Sequence, residues 1–126
     1  MARILLVSQD ELLVGAYAAK LTREGFEIEH CASGYEGLSK ARHGIPDLII
    51  LDLALAGIHG LTVLKFLRDV PWLLKVHVVL LIESTIARET LNECLLWGAG
   101  SYLQKDRCSL NDMVSHVQDV MCHISR

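Results

Sequence analysis

The segment from Pro46 to Asp52 constrains the fold of this chain more than any other. Four apolar residues, Leu48 to Leu51, stand together and end on an acid. A continuous apolar run of this kind, opened by a proline, is typical of a strand buried on both faces, as in a parallel sheet. Aspartate is uncommon in strands. At the carboxyl end of a central parallel strand it lies where α/β folds place their ligand sites, so Asp52 is the candidate centre of function.

Short apolar runs alternate with longer amphipathic runs along the whole chain. The short runs predict five strands, near residues 4–7, 26–31, 46–52, 76–82 and 102–103. Ser8 with Glu11 matches a capping box that would begin the first helix, and Ser33 with Glu36 matches another for the second helix. Strands and helices that alternate with short connections predict an α/β fold, (βα)5, with a doubly wound parallel five-stranded sheet and helices on both faces.

Length and composition narrow the class of protein. A chain of 126 residues predicts a single domain, residues 1–126, although it can be part of a longer protein because its last helix has no cap. No apolar stretch reaches the roughly 18 residues of a membrane span, and the N-terminus lacks a signal-peptide layout, so a cytoplasmic protein is expected. The net charge of −3 without a basic run argues against a nucleic-acid surface, and four cysteines without a C-x-x-C pair argue against zinc.

Polar residues follow the predicted strands at the sheet edge where the carboxyl ends of parallel strands meet. They are Ser8 to Asp10 after the first strand, Asp52 after the third, Glu83 and Ser84 after the fourth, and Lys105 after the fifth. A carboxylate with a lysine opposite can be a structural salt bridge. It can also be a nucleophile whose lysine stabilises charge on an incoming phosphoryl group. The spacing alone leaves both interpretations open.

Four motifs in order give the chain a family resemblance. They are residues 3–7 (Arg-Ile-Leu-Leu-Val), residues 46–53 around Asp52, Gly60-Leu61 with Val63-Leu64, and residues 98–105 ending on Lys105. In this order and at these intervals they resemble the CheY-like receiver domains of two-component response regulators. The resemblance covers essentially the whole chain. It implies the flavodoxin/CheY-like strand order 2-1-3-4-5.

The resemblance also implies a role for several residues. Asp52 matches the phosphoryl-accepting aspartate, Lys105 the lysine that pairs with it, and Tyr102 the aromatic switch whose ring turns inward when phosphoryl is present. The expected partners are a histidine kinase or phosphotransfer protein and an output domain or protein. Homodimerisation through helix four, strand five and helix five is a further possibility, whereas no enzymatic activity, nucleic-acid contact or membrane contact is expected.

The sequence departs from the family pattern at the metal-binding acids. Receiver domains have two consecutive acids after the first strand, which bring in Mg²⁺, whereas this chain has Ser8 and Gln9. Asp10 follows one residue later and is expected either to cap the helix or to reach a metal through water. Because Mg²⁺ usually takes at least one or two carboxylates, binding by Asp52 and Asp10 remains open.

The hydroxyl expected at the end of the fourth strand is also displaced. Counting back from Lys105 places Glu83 at the family's hydroxyl position, whereas counting forward from Asp52 places Ile82 there. Ser84 would occupy that position only after a shift of one residue. Glu83 is expected to point outward, although pointing inward would let it pair with Lys105 and repel phosphate.

Two functions therefore remain open: a receiver phosphorylated on Asp52, or a pseudo-receiver that acts as a phosphorylation-independent protein-interaction module. A flavodoxin-like cofactor site is opposed by the lack of glycines in the turn from Ser8 to Leu12.

Overall fold

The computed structural model describes residues 2–124 of the chain, which form a parallel sheet of five strands with helices between them. The strands are β1 Arg3–Val7, β2 Glu27–Cys31, β3 Leu48–Asp52, β4 His77–Ile82 and β5 Ser101–Gln104. The helices are α1 Glu11–Arg23, α2 Gly34–Gly44, α3 Gly60–Arg68, α4 Arg88–Leu96 and α5 Leu110–Ile124, with a short 3₁₀ helix at Pro71–Leu73. The strand order β2-β1-β3-β4-β5, parallel throughout, confirms the (βα)5 prediction.

The core consists of two apolar layers, one on each face of the sheet. Strand β3 is buried along its whole length, so its successive side chains enter opposite layers. Leu48 and Ile50 pack in the layer covered by α1 and α5. Ile49 and Leu51 pack in the layer covered by α2, α3 and α4. The double coverage explains why this strand is continuously apolar. No helix within residues 2–124 combines the length and the apolar composition that spanning a bilayer requires.

The capping box predicted from Ser8 and Glu11 is wrong, because Ser8 still pairs with the end of β2. The Ser8 N–H donates to the Cys31 carbonyl at 3.1 Å and so extends the β1–β2 ladder past Val7. Helix α1 instead begins at Glu11, and the Asp10 carboxylate caps it by accepting from the Leu13 N–H at 3.2 Å. The Ser8 side chain is therefore available to the sheet edge.

Gly60 allows the first turn of α3 to pack against the backbone that follows Asp52. A Cβ atom at this position would lie 2.6 Å from the Leu53 Cα and 2.9 Å from the Asp52 carbonyl oxygen. Neither backbone atom can move without displacing the end of β3. The Gly60 N–H also donates to the Leu53 carbonyl at 3.3 Å. A residue with no side chain is thus required where the helix meets the site.

The Arg68 guanidinium joins three segments at the opposite edge of the sheet. It donates hydrogen bonds to the carbonyl oxygens of Leu73, Leu74, Val76, Trp97 and Gly98. Burial lowers the pKa of Arg68, but an arginine remains charged in proteins. The side chain therefore holds the turn before β4 and the end of α4 against α3.

We expect Arg68→Met to lower the free energy of unfolding by about 2–3 kcal/mol, because partly buried carbonyls lose their donor. Urea denaturation followed by circular dichroism measures the change. Arg42→Met, at an exposed arginine of α2, is the matched control and should change stability by less than about 0.5 kcal/mol. Equal losses in the two variants would contradict a stapling role for Arg68.

Candidate functional site

The Asp52 carboxylate lies at the carboxyl edge of the sheet and accepts four hydrogen bonds. Oδ2 accepts from the Ser8 hydroxyl at 2.8 Å and from the Lys105 Nζ at 3.1 Å. Oδ1 accepts from the same Nζ at 3.0 Å and from the Ala54 N–H at 3.0 Å. Asp52 is only 1% exposed. Both carboxylate oxygens are therefore satisfied by donors of the chain itself.

Lys105 supplies the positive charge of the site. Its backbone N–H donates to the Ile82 carbonyl at 2.8 Å, which holds the residue beside β4 at the end of β5. Its Nζ also lies 3.3 Å from Glu83 Oε1. Burial disfavours the charged ammonium, but hydrogen bonds and Coulomb attraction from Asp52, together with those from Glu83, outweigh it and raise the pKa of Lys105.

The expectation that Glu83 points outward is wrong. Its carboxylate pairs with Lys105, although the side chain remains 51% exposed. Strand β4 ends at Ile82, so Glu83 is the first residue beyond it and lies at the rim, where the Lys105 ammonium attracts it. One lysine is thus shared by two carboxylates, one buried and one half-exposed.

Ser84 binds Asp106 and not the central aspartate. Its N–H donates to Asp106 Oδ1 at 2.9 Å and its hydroxyl donates to Oδ2. These two hydrogen bonds, the hydroxyl one first, lower the pKa of Asp106. A shift of one residue was expected to bring the Ser84 hydroxyl to the site. The Asp106 carboxylate binds this hydroxyl instead.

The residues after β1 do not fit a Mg²⁺ ion. The Ser8 hydroxyl is bound to Asp52, and Gln9 Oε1 accepts from the Ala56 N–H at 3.0 Å. Asp10 caps α1. Within residues 2–124, no group of three or more His, Cys, Asp or Glu side chains is arranged to hold a metal ion. The prediction of Asp52 and Asp10 as metal ligands thus finds no support in the geometry, since Mg²⁺ needs several free oxygens in an octahedral arrangement.

A cleft of about 180 Å³ opens above the central carboxylate. Its lining includes Asp52, Lys105 and Glu83 together with His59 and Thr85. His59 is the N-cap of α3, and its Nδ1 accepts from the Leu61 N–H at 3.4 Å. Thr85 brings a hydroxyl to the cleft that the sequence did not predict. It lies two positions beyond Glu83, the residue that alignment from Lys105 reaches. The Ser8 contact was also missed, because its spacing to Glu11 pointed to a helix cap.

The segments of α4, β5 and α5 carry exposed aromatic and apolar side chains, and the Trp97 ring at the end of α4 lies beside α3. Tyr102 is 41% exposed, so its ring is not packed inside the site. Trp97 is 40% exposed and has the Lys65 Nζ 5.5 Å from its ring centroid. Leu96 projects into solvent beside it. Tyr102, the residue that the resemblance implies as the switch, is therefore accessible to solvent.

The doubly wound sheet and the acid–lysine pair at its carboxyl edge define the class of receiver domains. The sequence model of the response regulator receiver domain matches residues 4–118. The chain therefore belongs to the response regulator receiver domain family of two-component signalling.

Relatives and solved structures agree with this assignment. The chain is 36% identical over 104 residues to the response regulator PleD of Caulobacter vibrioides, a match that covers 82% of the chain and 23% of PleD. It is 34% identical to a protein-glutamate methylesterase/protein-glutamine glutaminase of Archaeoglobus fulgidus, covering 94% of the chain and 34% of that protein. The chemotaxis response regulator CheY4 of Vibrio cholerae superposes with a TM-score of 0.88 at 26% identity, covering 95% and 98% of the two chains. The chain thus spans about a quarter to a third of these two longer relatives.

Proposed function

We propose that this receiver domain acts as a protein-interaction module of two-component signalling whose state does not depend on Mg²⁺-assisted phosphorylation. One observation carries the proposal: both oxygens of Asp52 are held by Ser8, Lys105 and the Ala54 N–H. Asp52 then serves as a buried structural acid that joins β1, β3 and β5. The face of α4, β5 and α5 would bind the partner, either an output protein or a second copy of the chain.

The electrostatics of the site oppose phosphoryl transfer to Asp52. An incoming phosphoryl group carries negative charge that must be neutralised as it approaches the carboxylate. Lys105 is the ammonium at the cleft, and Glu83 already shares it. At ~4 Å and an effective dielectric constant of about 20, each uncompensated unit repulsion costs about 4 kcal/mol. That cost corresponds to roughly three decades in rate, which makes phosphorylation slow on this site.

Phosphoryl acceptance on Asp52 is the second candidate function, and the cleft above the Asp52–Lys105 pair favours it. In this alternative, a carboxylate oxygen attacks phosphorus in line and forms an acyl phosphate, while the leaving group departs on the opposite side. Lys105 moves its hydrogen bonds from the carboxylate to the phosphoryl oxygens. Tyr102 then turns inward and changes the face of α4, β5 and α5. A histidine kinase or phosphotransfer protein would supply the phosphoryl group.

Amide NMR with beryllofluoride and with a small-molecule phosphodonor, each with and without Mg²⁺, separates the two functions. The first proposal predicts no shift at Asp52, Tyr102 or Lys105 under any of these conditions. Shifts at these residues that disappear in Asp52→Asn would overturn it and establish phosphoryl acceptance. Asp47→Asn is the matched control, because Asp47 is an exposed acid before the same strand and should leave every response unchanged.

A further inference from the structure

Two histidines share one serine hydroxyl between the sheet and the last helix. His77 Nε2 lies 2.9 Å from Ser101 Oγ, and His116 Nε2 lies 2.7 Å from the same oxygen. His77 opens β4, Ser101 opens β5, and His116 lies in the middle of α5. The three side chains are partly buried. A single oxygen thus links β4 and β5 to α5, at the end of the sheet opposite to Asp52.

The backbone is shaped to receive this arrangement. A Cβ atom at Gly100 would lie 2.4–2.6 Å from three atoms of the His77 ring, so the ring rests directly on a residue with no side chain. His77 and His116 also line a cavity of about 460 Å³ that opens beside α5. Protons and water can therefore reach the pair although each ring is partly buried.

The surroundings disfavour positive charge on both rings. Burial, the neighbouring His116 and Arg68 of α3 lower the pKa of His77. Burial also lowers the pKa of His116, against the opposing effect of Asp119 on the same helix. Besides Asp119, the cavity is lined by His123 of α5, which is exposed and bound through Nδ1 to the Asp119 carbonyl at 2.8 Å. Strand β3 contributes the uncharged Leu48 beside His77.

We propose that His77, Ser101 and His116 form a proton-sensitive latch that holds α5 on the sheet near neutral pH and loosens on acidification. With both rings neutral, one imidazole N–H donates to Oγ and the serine O–H donates to the other imidazole, so both Nε2 atoms and the serine hydroxyl are paired. When the accepting ring takes up a proton, both rings donate to Oγ and the serine proton loses its acceptor. A second proton places two cations on one oxygen, next to Arg68.

The lowered pKa values of His77 and His116 determine how the stability of the folded chain changes with pH. Both histidines bind protons more weakly in the folded than in the unfolded chain, so unfolding takes up protons as the pH falls below about 6.5. The stabilising contribution of the neutral latch is complete above the unfolded pKa and is lost as the pH falls towards the folded-state values. Each unit of difference multiplies the unfolding equilibrium constant by about ten. This latch is independent of the function proposed for Asp52.

The Cε1–H resonances of the six histidines in the wild-type chain test the latch by NMR without any substitution. We expect His77 and His116 to titrate below about 6.5, the pKa of an unperturbed imidazole. The protection factors of the α5 amides, which are corrected for the slower intrinsic exchange at low pH, should fall between about pH 7.5 and about pH 5.5, and they should fall more than those of α1. Titration of both rings at or above about 6.5, or unchanged protection of α5, would overturn the proposal.

The substitution His116→Gln distinguishes the latch from a general loss of stability at acidic pH. His116→Gln retains a neutral group that can bind Ser101, and it should raise the midpoint of His77 by removing a neighbouring cation. The unfolding equilibrium constant of the wild type should rise at least about tenfold between about pH 7.5 and about pH 5.5. That of His116→Gln should rise less. His43→Gln, at an exposed histidine of α2, is the control and should keep the wild-type dependence. If His116→Gln also keeps that dependence, the latch is wrong.

Discussion

Lys105→Met is expected to lower the free energy of unfolding by about 3–5 kcal/mol, the cost of leaving a buried charge without its partner. Asp52 is 1% exposed and receives two of its four hydrogen bonds from this ammonium. Removal of the ammonium leaves the Ser8 hydroxyl and the Ala54 N–H, which are neutral donors. Urea denaturation at neutral pH measures the loss.

The double variant Asp52→Asn/Lys105→Met isolates the buried charge as the cause. An asparagine side chain at this position carries no charge but can still accept from Ser8, so the double variant should recover most of the stability lost by Lys105→Met alone. Lys40→Met is the matched control. The Lys40 Nζ lies 3.7 Å from Glu29 Oε2 at a pair whose side chains are 34% and 48% exposed, and its loss should cost less than about 1 kcal/mol. Additive losses in the double variant would contradict the role assigned to the pair.

Ser8→Asp/Gln9→Asp should make stability depend on Mg²⁺, which the wild-type chain is not expected to show. Without metal, the new acid at position 8 replaces a hydroxyl that lies 2.8 Å from Asp52 Oδ2. Repulsion between two carboxylates at ~4 Å and an effective dielectric constant of about 20 is about 4 kcal/mol, so the variant should be destabilised by a cost of that order. Mg²⁺ bound to the three carboxylates would then raise the free energy of unfolding by about 1.4 kcal/mol at ten times its Kd.

The neutral variant Ser8→Asn/Gln9→Asn is the control for size and for lost hydrogen bonds. It should be destabilised less than the acidic variant and should not respond to Mg²⁺. Thermal unfolding of the wild type and both variants, with EDTA and with millimolar Mg²⁺, makes the comparison. A Mg²⁺ response of the wild type equal to that of the acidic variant would show that the present residues hold the ion, and the function proposed above would fail.

Helix ends depend on residues that are close together in the chain, so short sequence patterns can indicate them. Ser109 and Asp112 cap α5 reciprocally, with hydrogen bonds of 3.0 and 3.1 Å between each side chain and the other's N–H. Gly25 has a φ of +98° just after α1, a left-handed conformation that glycine adopts readily at helix ends. The signal from Ser8 and Glu11 was of the same kind, but the pairing of β1 with β2 outweighed it.

The sequence by itself determined the parallel sheet, the strand alternation and the position of Asp52 and Lys105 at one edge. Hydrophobic periodicity and turn residues suffice for these features, because they depend on neighbours along the chain. Only the tertiary structure decided that Ser8 binds Asp52, that Glu83 shares Lys105, that Asp106 engages Ser84, and that Ser101 joins two histidines. Each of these contacts joins residues that are 15 to 44 positions apart. In these contacts, the packing of the strands decides which side chain binds a given donor or acceptor. Patterns of neighbouring residues in the sequence do not contain that information.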